Sequence, residues 1–362
     1  MASLGVADGT DRIASLLVQT FPTMTIVRSA VVQSLWSGYG SIIRLWLSGG
    51  DGVPTSVIAK RVQPPRDESG IGHERKCRSY VVEQCFYEKY AGLLNPGLCR
   101  VPQLLCSDHS VPGETLFILE DLDPVELGPG FGERRSRLDV QDARSCVVWL
   151  AQFHKTFLNK NVGLGSGSGG VWAQGTYWHL ATRPDEHRGM DNRDPLKSEA
   201  GSIDKLLRTA KHQTLLHGDA KLANFCWRKR EKQRGDASCV GAGGVATLGV
   251  AAVDFQYTGW GIGVLDLYYC LGAFPAVEDL PRNEAALLDL YFSVLDAGPE
   301  VEAEWRALYC VAVADFERFL AGWCGGGGSG KRRGHVGEKV NEAMSLIAAH
   351  NSGTGADIGG RS

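Results

Sequence analysis

The sequence predicts a protein of the α+β class, with an antiparallel sheet near the N-terminus and a mainly helical remainder. Two observations support this prediction. Short apolar runs separated by glycine-containing turns occupy much of the first 120 residues, as expected for strands. From about residue 140 onward, apolar residues recur at the three- and four-residue spacing of amphipathic helices. The length of 362 residues suits one large domain or two lobes.

Composition places the chain in the ordinary globular class. Hydrophobic residues make up 43% and charged residues 22%, and the formal net charge is -3. This charge favours neither nucleic acid nor an acidic membrane as partner, and no apolar run reaches membrane-spanning length. The N-terminal residues have no pattern of a secretion signal. The ten cysteines are scattered without a C-x-x-C pair, so we expect reduced thiols and a cytoplasmic location.

The first lobe is predicted to span residues 31–119, after an N-terminal helical extension in residues 1–30. The extension contains an amphipathic helix near residues 11–21. Apolar runs predict strands at residues 31–36, 42–47, 56–62, 101–106 and 116–119, and a long helix at residues 73–94.

Three features of this lobe have both a functional and a structural interpretation. Gly38, Gly40 and Ser41 lie between the first two strands, where they suit either a phosphate-covering loop or a plain hairpin turn. Lys60 on the third strand is either a phosphate-binding residue or a solvent-facing lysine. The last strand ends in 120–123, where acidic residues either mark a strand end or begin a functional hinge.

The second lobe, residues 120–350, is predicted to be mostly helical. Helices are expected at residues 140–158, 203–210, 284–295, 302–323 and 336–349. We expect disorder in the basic and glycine-rich insertion 228–248 and in the tail 351–362. The stretch 325–332 approaches the pattern G-x-x-x-x-G-K-[ST], but an arginine replaces the hydroxyl residue and a helix precedes it. It is therefore predicted to be a flexible linker.

The chemically most informative stretch is 215–225. Two apolar residues lead into His217-Gly218-Asp219, and Asn224 follows five positions after the aspartate. About thirty residues later, the apolar run 250–253 ends in Asp254. Phosphoryl transfer from ATP requires a carboxylate that orients and deprotonates an acceptor hydroxyl, together with an Asn and a second Asp that hold Mg²⁺. A capped turn is the alternative for His-Gly-Asp alone, but the two-part pattern favours the catalytic interpretation.

The spacing H-G-D-x-x-x-x-N, followed by an apolar run and D-F, resembles the catalytic and metal loops of the kinase-like phosphotransferases. This superfamily contains choline kinases, aminoglycoside phosphotransferases and the ecdysteroid-kinase-like (CHK) group, distant relatives of the protein kinases. The resemblance covers roughly residues 36–269. It implies a protein-kinase-like two-lobed fold and transfer of the γ-phosphoryl group of ATP, with Mg²⁺, to a hydroxyl of a small molecule.

The resemblance also implies roles for individual residues. Asp219 would accept the hydroxyl proton, and Asn224 and Asp254 would bind Mg²⁺. Lys60, held by Glu83 in a stretch similar to the family's E-x-x-F-Y pattern, would position the α- and β-phosphates. Glu74 and Glu88 are the alternative partners of this lysine.

The remaining implied roles concern support and nucleotide contact. Adenine would contact backbone groups near Glu120 and Leu122, which look like the interlobe hinge. His217 and Asp266 would support the catalytic loop. Lys221 departs from many small-molecule kinases, and we predict that it points at the γ-phosphate; a surface lysine is the alternative.

The acceptor and the function class have further alternatives. The aromatic segment 172–180 and nearby acids suit either an acceptor wall or lobe packing. No long segment with an A-P-E-like end is present, which favours a small hydroxyl acceptor over a protein. Choline, an aminoglycoside, a steroid alcohol and a sugar all remain open, as does the oligomeric state. An inactive kinase-fold binding module and, less favoured, a protein kinase are the competing functions.

Overall fold

The computed structural model describes residues 10–124, 130–160, 169–228, 249–274, 279–324 and 334–353. The expected disordered insertion lies outside these residues from position 229 onward. The predicted linker 325–332 and the tail from position 354 also lie outside them.

The first lobe is a five-stranded antiparallel sheet with one helix on each side. The strands in chain order are β1 (Thr25–Ser34), β2 (Gly40–Ser48), β3 (Ser56–Val62), β4 (Leu104–Asp108) and β5 (Thr115–Glu120). Their order across the sheet is β1-β2-β3-β5-β4. Helix α1 spans Thr10–Thr20 and α2 spans Ile71–Lys89, followed by a 3-10 turn at Ala91–Leu93.

Two strands begin at positions that differ from the prediction. β1 starts at Thr25 instead of residue 31, because an edge strand with most of its residues exposed has no hydrophobic alternation to reveal it. β4 starts at Leu104 instead of residue 101, and Pro102 has no N–H to contribute to a ladder. The third strand and the helix α1 lie where they were predicted.

Helix α2 lies between the two lobes. All residues from Ser79 to Tyr87 except Val81 are buried. On one side Tyr87 packs against Phe117 of β5, and on the other Phe86 packs against Phe153 of the second lobe. Burial on nearly all sides explains why α2 lacks a clear apolar stripe.

The second lobe is mostly helical, as predicted. Its helices are α3 (Val140–Phe157), α4 (Pro184–Gly189), α5 (Pro195–Ser198), α6 (Ala200–Arg208), α7 (Val264–Leu271), α8 (Asp279–Leu295), α9 (Pro299–Trp323) and α10 (Gly334–Asn351). Four short strands form two hairpin-like pairs: β6 (Thr214–Leu216) with β9 (Gly259–Gly261), and β7 (Phe225–Trp227) with β8 (Val250–Ala252). Helix α9 packs against α4, α6, α7 and α10 and forms the centre of the lobe.

This architecture is a protein-kinase-like two-lobed fold, which confirms the predicted fold class. The two strand pairs carry the loops that follow β6 and β8, and a hydrogen bond between His217 and the carbonyl of Val253 joins the two predicted catalytic stretches. Within the described residues, no helix is both long and apolar enough to cross a membrane. The nine cysteines that lie in the described ranges are free thiols.

Candidate active site

The loop after β6 is held in place by Asp266, in the first turn of α7. Its carboxylate accepts the backbone N–H of His217 at 2.6 Å and that of Gly218 at 3.0 Å. Asp266 is fully buried and lies 3.2 Å from Nε2 of His154, whose Nδ1 is 2.8 Å from the hydroxyl of Tyr291. His154 is therefore a hydrogen-bonded core residue of α3, and Asp266 braces the loop.

Two loops approach each other closely at Gly218, and this approach requires a glycine. Its φ is +79°, and a Cβ at this position would lie 1.9 Å from the backbone oxygen of Tyr257. Its own carbonyl accepts the N–H of Tyr177 at 3.0 Å. A side chain at this position would both strain the backbone and push away the 257 segment. The glycine thus brings the catalytic loop against two tyrosine-bearing segments.

His217 connects the two predicted catalytic stretches. Its Nδ1 accepts the N–H of Asp219 at 3.3 Å, so Nε2 carries the proton that it donates to the carbonyl of Val253 at 3.1 Å. Burial lowers the pKa of His217, although the carboxylates of Asp266 and Asp254 oppose this. A neutral imidazole therefore fixes the loop of Asp219 relative to that of Asp254.

The carboxylate of Asp219 is buried and has several donors. Oδ2 accepts from Lys221 Nζ at 2.7 Å and from Asn224 Nδ2 at 3.1 Å, and Oδ1 lies 3.3 Å from the hydroxyl of Tyr269. Burial raises the pKa of Asp219 from its ordinary 3.8 to about 6, with Lys221 opposing and Asp254 adding to the shift. At neutral pH this group is an ionised carboxylate with raised basicity, as a general base requires.

Asn224 and Asp254 provide an oxygen donor set that fits a hard divalent cation. The Asn224 amide nitrogen is committed to the carbonyl and the carboxylate of Asp219, so Oδ1 is its atom for a cation. Oδ1 of Asp254 is buried and has no hydrogen-bond donor among the described residues. Asp254 has a φ of +69°, a conformation that a non-glycine residue rarely adopts. An orphaned carboxylate oxygen near an amide oxygen suits Mg²⁺ or a similar ion.

Lys60 and Glu83 form the ion pair that the sequence predicted. Nζ of Lys60 donates to Oε2 of Glu83, and it lies 3.8 Å from Oδ1 of Asp254. Although burial opposes it, the carboxylates of Glu83 and Asp254 raise the pKa of Lys60, which keeps the ammonium charged. The alternatives are excluded, because Glu74 is exposed and Glu88 instead accepts from Ser107 at 2.7 Å.

The segment around Phe255 links α2 to the metal loop. The ring of Phe255 is fully buried and lies 4.5 Å from the ring of His217. It also contacts Phe153 of α3 and stacks on Phe86 of α2. The position of Glu83 on α2 is therefore coupled by packing to the position of Asp254.

Tyr39, the central residue of the glycine loop, anchors this loop through hydrogen bonds of its side chain. Tyr39 is fully buried, and its hydroxyl lies 2.7 Å from Nδ1 of His73 and 3.1 Å from Oε2 of Glu68. A Cβ at Gly40 would lie 2.0 Å from the backbone oxygen of Arg61. The need for glycine at position 40 therefore comes from packing against β3. Gly38, with open space around it, is the glycine that leaves room for a ligand.

The predicted hinge is built around Asp121, one of the acidic residues for which a strand end was the alternative interpretation. Asp121 is buried and accepts from Arg44 Nη2 at 3.0 Å and from Ser56 Oγ at 2.8 Å. The N–H of Glu120 donates to Gln103, and the carbonyl of Leu122 accepts from Phe131, each at 2.8 Å. These two backbone groups are therefore already hydrogen-bonded within the protein. Adenine contact remains a prediction, and it would use the carbonyl of Glu120 and the N–H of Leu122.

The aromatic segment 172–180 divides into packing and cleft residues. Trp178 is fully buried against Tyr269 and Phe316, so it contributes to lobe packing. Tyr177 is half-buried, and its hydroxyl is 3.3 Å from that of Tyr269. Sequence reasoning missed Tyr257 and Tyr269 as site residues, since only the tertiary fold brings them near Asp219.

Comparison with known proteins supports the fold assignment. The sequence matches no protein-family model and no curated protein. Choline kinase from Cryptosporidium parvum has a TM-score of 0.52 at 10% identity over 94% of this chain and 97% of the kinase. An amicoumacin kinase in complex with AMP-PNP, Ca²⁺ and its substrate has a TM-score of 0.49 at 11% identity, over 98% and 96% of the chains. An aminoglycoside-3'-phosphotransferase of type VIII has a TM-score of 0.43 at 18% identity, over 85% and 98%.

At these identities the likeness establishes the fold alone, and the comparison with choline kinase carries that conclusion. The chain has the fold of the kinase-like phosphotransferases. In this fold His217 joins the loop of Asp219 to that of Asp254, and their catalytic and metal-binding roles stay predictions.

Proposed function

We propose that this protein transfers the γ-phosphoryl group of ATP to a hydroxyl group of a small molecule. The observation that best supports the proposal is the convergence of five side chains at the lobe interface. Lys60 lies 3.8 Å from Asp254, His217 bridges the loops of Asp254 and Asp219, and Asn224 donates to Asp219. A mere binding module has no need for a buried carboxylate with raised pKa beside a cation site.

The nucleotide would lie between the sheet and the catalytic loop. Lys60, kept charged and oriented by Glu83, would bind the α- and β-phosphates. The loop from Gly38 to Ser41 would cover them, and the backbone of Glu120 and Leu122 would contact adenine. Oδ1 of Asn224 and the Asp254 carboxylate would hold Mg²⁺, which when bound neutralises charge on the phosphates.

The acceptor hydroxyl would be oriented by Asp219. Oδ2 is held by Lys221 and Asn224, so Oδ1, next to Tyr269, is the atom that would take the hydroxyl proton. The acceptor oxygen would then bond to the γ-phosphorus as the bond from that phosphorus to the bridging oxygen breaks and ADP leaves. A base with a pKa of about 6 is deprotonated at neutral pH yet basic enough to accept a proton in the transition state. Lys221, 45% exposed at its side chain, would reach from Asp219 toward the transferring phosphate.

ADP release in the presence of candidate alcohols tests the proposal. We expect Mg²⁺-dependent, acceptor-stimulated release with the wild type and a loss of about 10²-fold or more in kcat for Asp219→Asn. Asp185→Asn is the matched control, because Asp185 is an exposed carboxylate that pairs with Arg188. Phosphate incorporation into generic proteins in preference to small alcohols would instead indicate a protein kinase.

A further inference from the structure

Three tyrosines line a cleft beside the catalytic carboxylate. The hydroxyl of Tyr269 lies 3.3 Å from both Asp219 Oδ1 and the hydroxyl of Tyr177. The ring of Tyr177 contacts those of Tyr269 and Tyr257, with centroids 5.6 and 5.8 Å apart. All three tyrosines are half-buried, so each keeps part of its surface accessible. We call Tyr177, Tyr257 and Tyr269 the tyrosine cleft.

Cationic side chains border this cleft. Arg183 is buried, and its guanidinium carbon lies 5.3 Å from the centroid of the Tyr177 ring. Its Nε donates to the Tyr177 carbonyl at 2.6 Å, and its Nη1 lies 3.2 Å from Oε1 of Glu186. Lys221 pairs with Asp219 in the same way. Each carboxylate at the cleft is thus matched by a cation of its own.

Among the described residues, Arg75 is the cationic side chain at this cleft that has no carboxylate partner. It extends from the first turns of α2 to the second lobe, where Nη1 donates to the carbonyl of Thr182 at 2.8 Å. It is also hydrogen-bonded to Tyr257. Its Nε is buried and has no hydrogen-bond partner in the described ranges, and no carboxylate of those ranges lies within ion-pair distance. An unpaired buried donor costs free energy, and other arginines that have such a donor, for example Arg44 and Arg318, also pair with a carboxylate, which Arg75 does not do within the described ranges.

We propose that the acceptor is an alcohol that carries an anionic group, a carboxylate or a phosphate, and that Arg75 recognises this group at the end of the tyrosine cleft. This inference rests on the proposed kinase function and deepens it. A guanidinium binds carboxylate and phosphate through charge-assisted hydrogen bonds, often two in parallel. The tyrosine rings would contact the carbon skeleton, and the hydroxyl would lie at Asp219.

The positive charge of Arg75 also disfavours a cationic acceptor. Arg183 pairs with Glu186 and Lys221 pairs with Asp219, so a cationic alcohol would meet the guanidinium of Arg75 without a compensating carboxylate among the described residues. Two like charges that lie close together repel, and the repulsion is strongest where solvent is excluded. The likeness to a choline kinase therefore does not extend to its acceptor.

The test compares small alcohols that differ in charge. Wild-type kcat/KM is measured by ADP release with glycerol, choline, glycerate and glycerol 3-phosphate, the last two separating carboxylate from phosphate. We expect one of the anions to exceed glycerol by about tenfold or more, and choline to be the poorest. Arg75→Gln should raise KM for that anion with little change in kcat or in KM for ATP. Arg75→Lys, which keeps the charge, should restore part of the loss.

The matched control is Arg78→Gln. Arg78 lies on the same helix and also donates to carbonyls of the second lobe, those of Gly170 and Val171. Loss of the anion preference in both variants would show that bridging of the lobes, not recognition of charge, is responsible, and would overturn the inference. A preference for glycerol or choline would overturn it too and leave the kinase proposal intact.

Calorimetry separates the two proposals further. Binding of glycerate and glycerol 3-phosphate is measured with a non-hydrolysable ATP analogue and Mg²⁺ present. Failure of both anions to bind overturns the inference whatever the turnover result. Absence of analogue binding removes the kinase proposal itself, and the inference with it.

Discussion

The ring of Phe86 stacks on the ring of Phe255, with centroids 3.7 Å apart and planes inclined by 13°. Phe86 lies three residues after Glu83 on α2, and Phe255 follows Asp254 directly. The stack therefore couples the helix that holds Lys60 to the loop that carries the candidate metal ligand. Both rings are fully buried, so this contact belongs to the core as well as to the site.

Replacing Phe255 by Ala is expected to impair both stability and nucleotide binding. The free energy of unfolding should fall by about 3–5 kcal/mol, the usual cost of removing a buried phenylalanine ring. KM for ATP should rise, because Asp254 and α2 lose their common packing partner. Chemical denaturation and ADP-release kinetics measure the two effects. In Phe255→Leu, which keeps an apolar filler, both losses should be smaller; equal KM values in all three proteins would contradict the coupling.

Asp219→Asn is expected to stabilise the protein while it abolishes activity. The folded-state pKa is about 6 against an ordinary 3.8, so between these values the native state binds more protons than the unfolded state. The free energy of unfolding therefore falls as pH rises through that window, and the ionised carboxylate costs up to about 3 kcal/mol at pH 7. Denaturant midpoints at pH 7 and pH 4 test this. The increase in the free energy of unfolding that Asp219→Asn brings at pH 7 should vanish at pH 4. A variant less stable than wild type at pH 7 would contradict this prediction.

The pH dependence of turnover should report the same carboxylate. Protonated Asp219 cannot take a proton, so kcat/KM should fall about tenfold per pH unit below about pH 6. Lys221 lowers the pKa of Asp219, so Lys221→Met should move this acid limb to higher pH. A pH–rate profile that is the same in Lys221→Met and wild type, with unchanged kcat, would show that Lys221 is only a surface lysine.

Gly218 and Gly38 form a matched pair that separates backbone conformation from steric conflict. Both have a positive φ, +79° and +75°, but only Gly218 would place a Cβ against the Tyr257 backbone. Gly38→Ala should cost about 1 kcal/mol from φ strain alone. Gly218→Ala should cost more and should also lower kcat, because Asp219 is displaced with its loop. Thermal melting and ADP release distinguish them, and equal effects in the two variants would refute the steric account.

Sequence motifs indicated contacts of the candidate site that join separate elements. The choice of Glu83 over Glu74 and Glu88 and the bracing contacts of Asp266 agree with the observed hydrogen bonds. Lys60 and Glu83 lie on a strand and a helix, and Asp266 reaches the loop from α7, so the resemblance to a family's motifs was needed to indicate these contacts.

The missed parts depend on contacts between distant segments. Tyr257, Tyr269 and Arg75 lie on a loop and two helices whose approach no local pattern reveals. Asp121 looked like an exposed strand end, yet Arg44 and Ser56 from two neighbouring strands enclose it. Packing against β3 gives position 40 a structural need for glycine that the sequence did not reveal, and phosphate contact by the loop stays a prediction.

The most direct measurement of the central claim is thermal melting with ATP, with and without Mg²⁺, on the wild type and Asp254→Asn. A ligand that binds only the folded state raises the melting temperature. We expect ATP with Mg²⁺ to raise it by a few degrees in the wild type, and much less in Asp254→Asn, because the variant loses a carboxylate ligand of the cation. No rise with ATP in either protein, at millimolar nucleotide, would contradict the assignment of this interface as an ATP site.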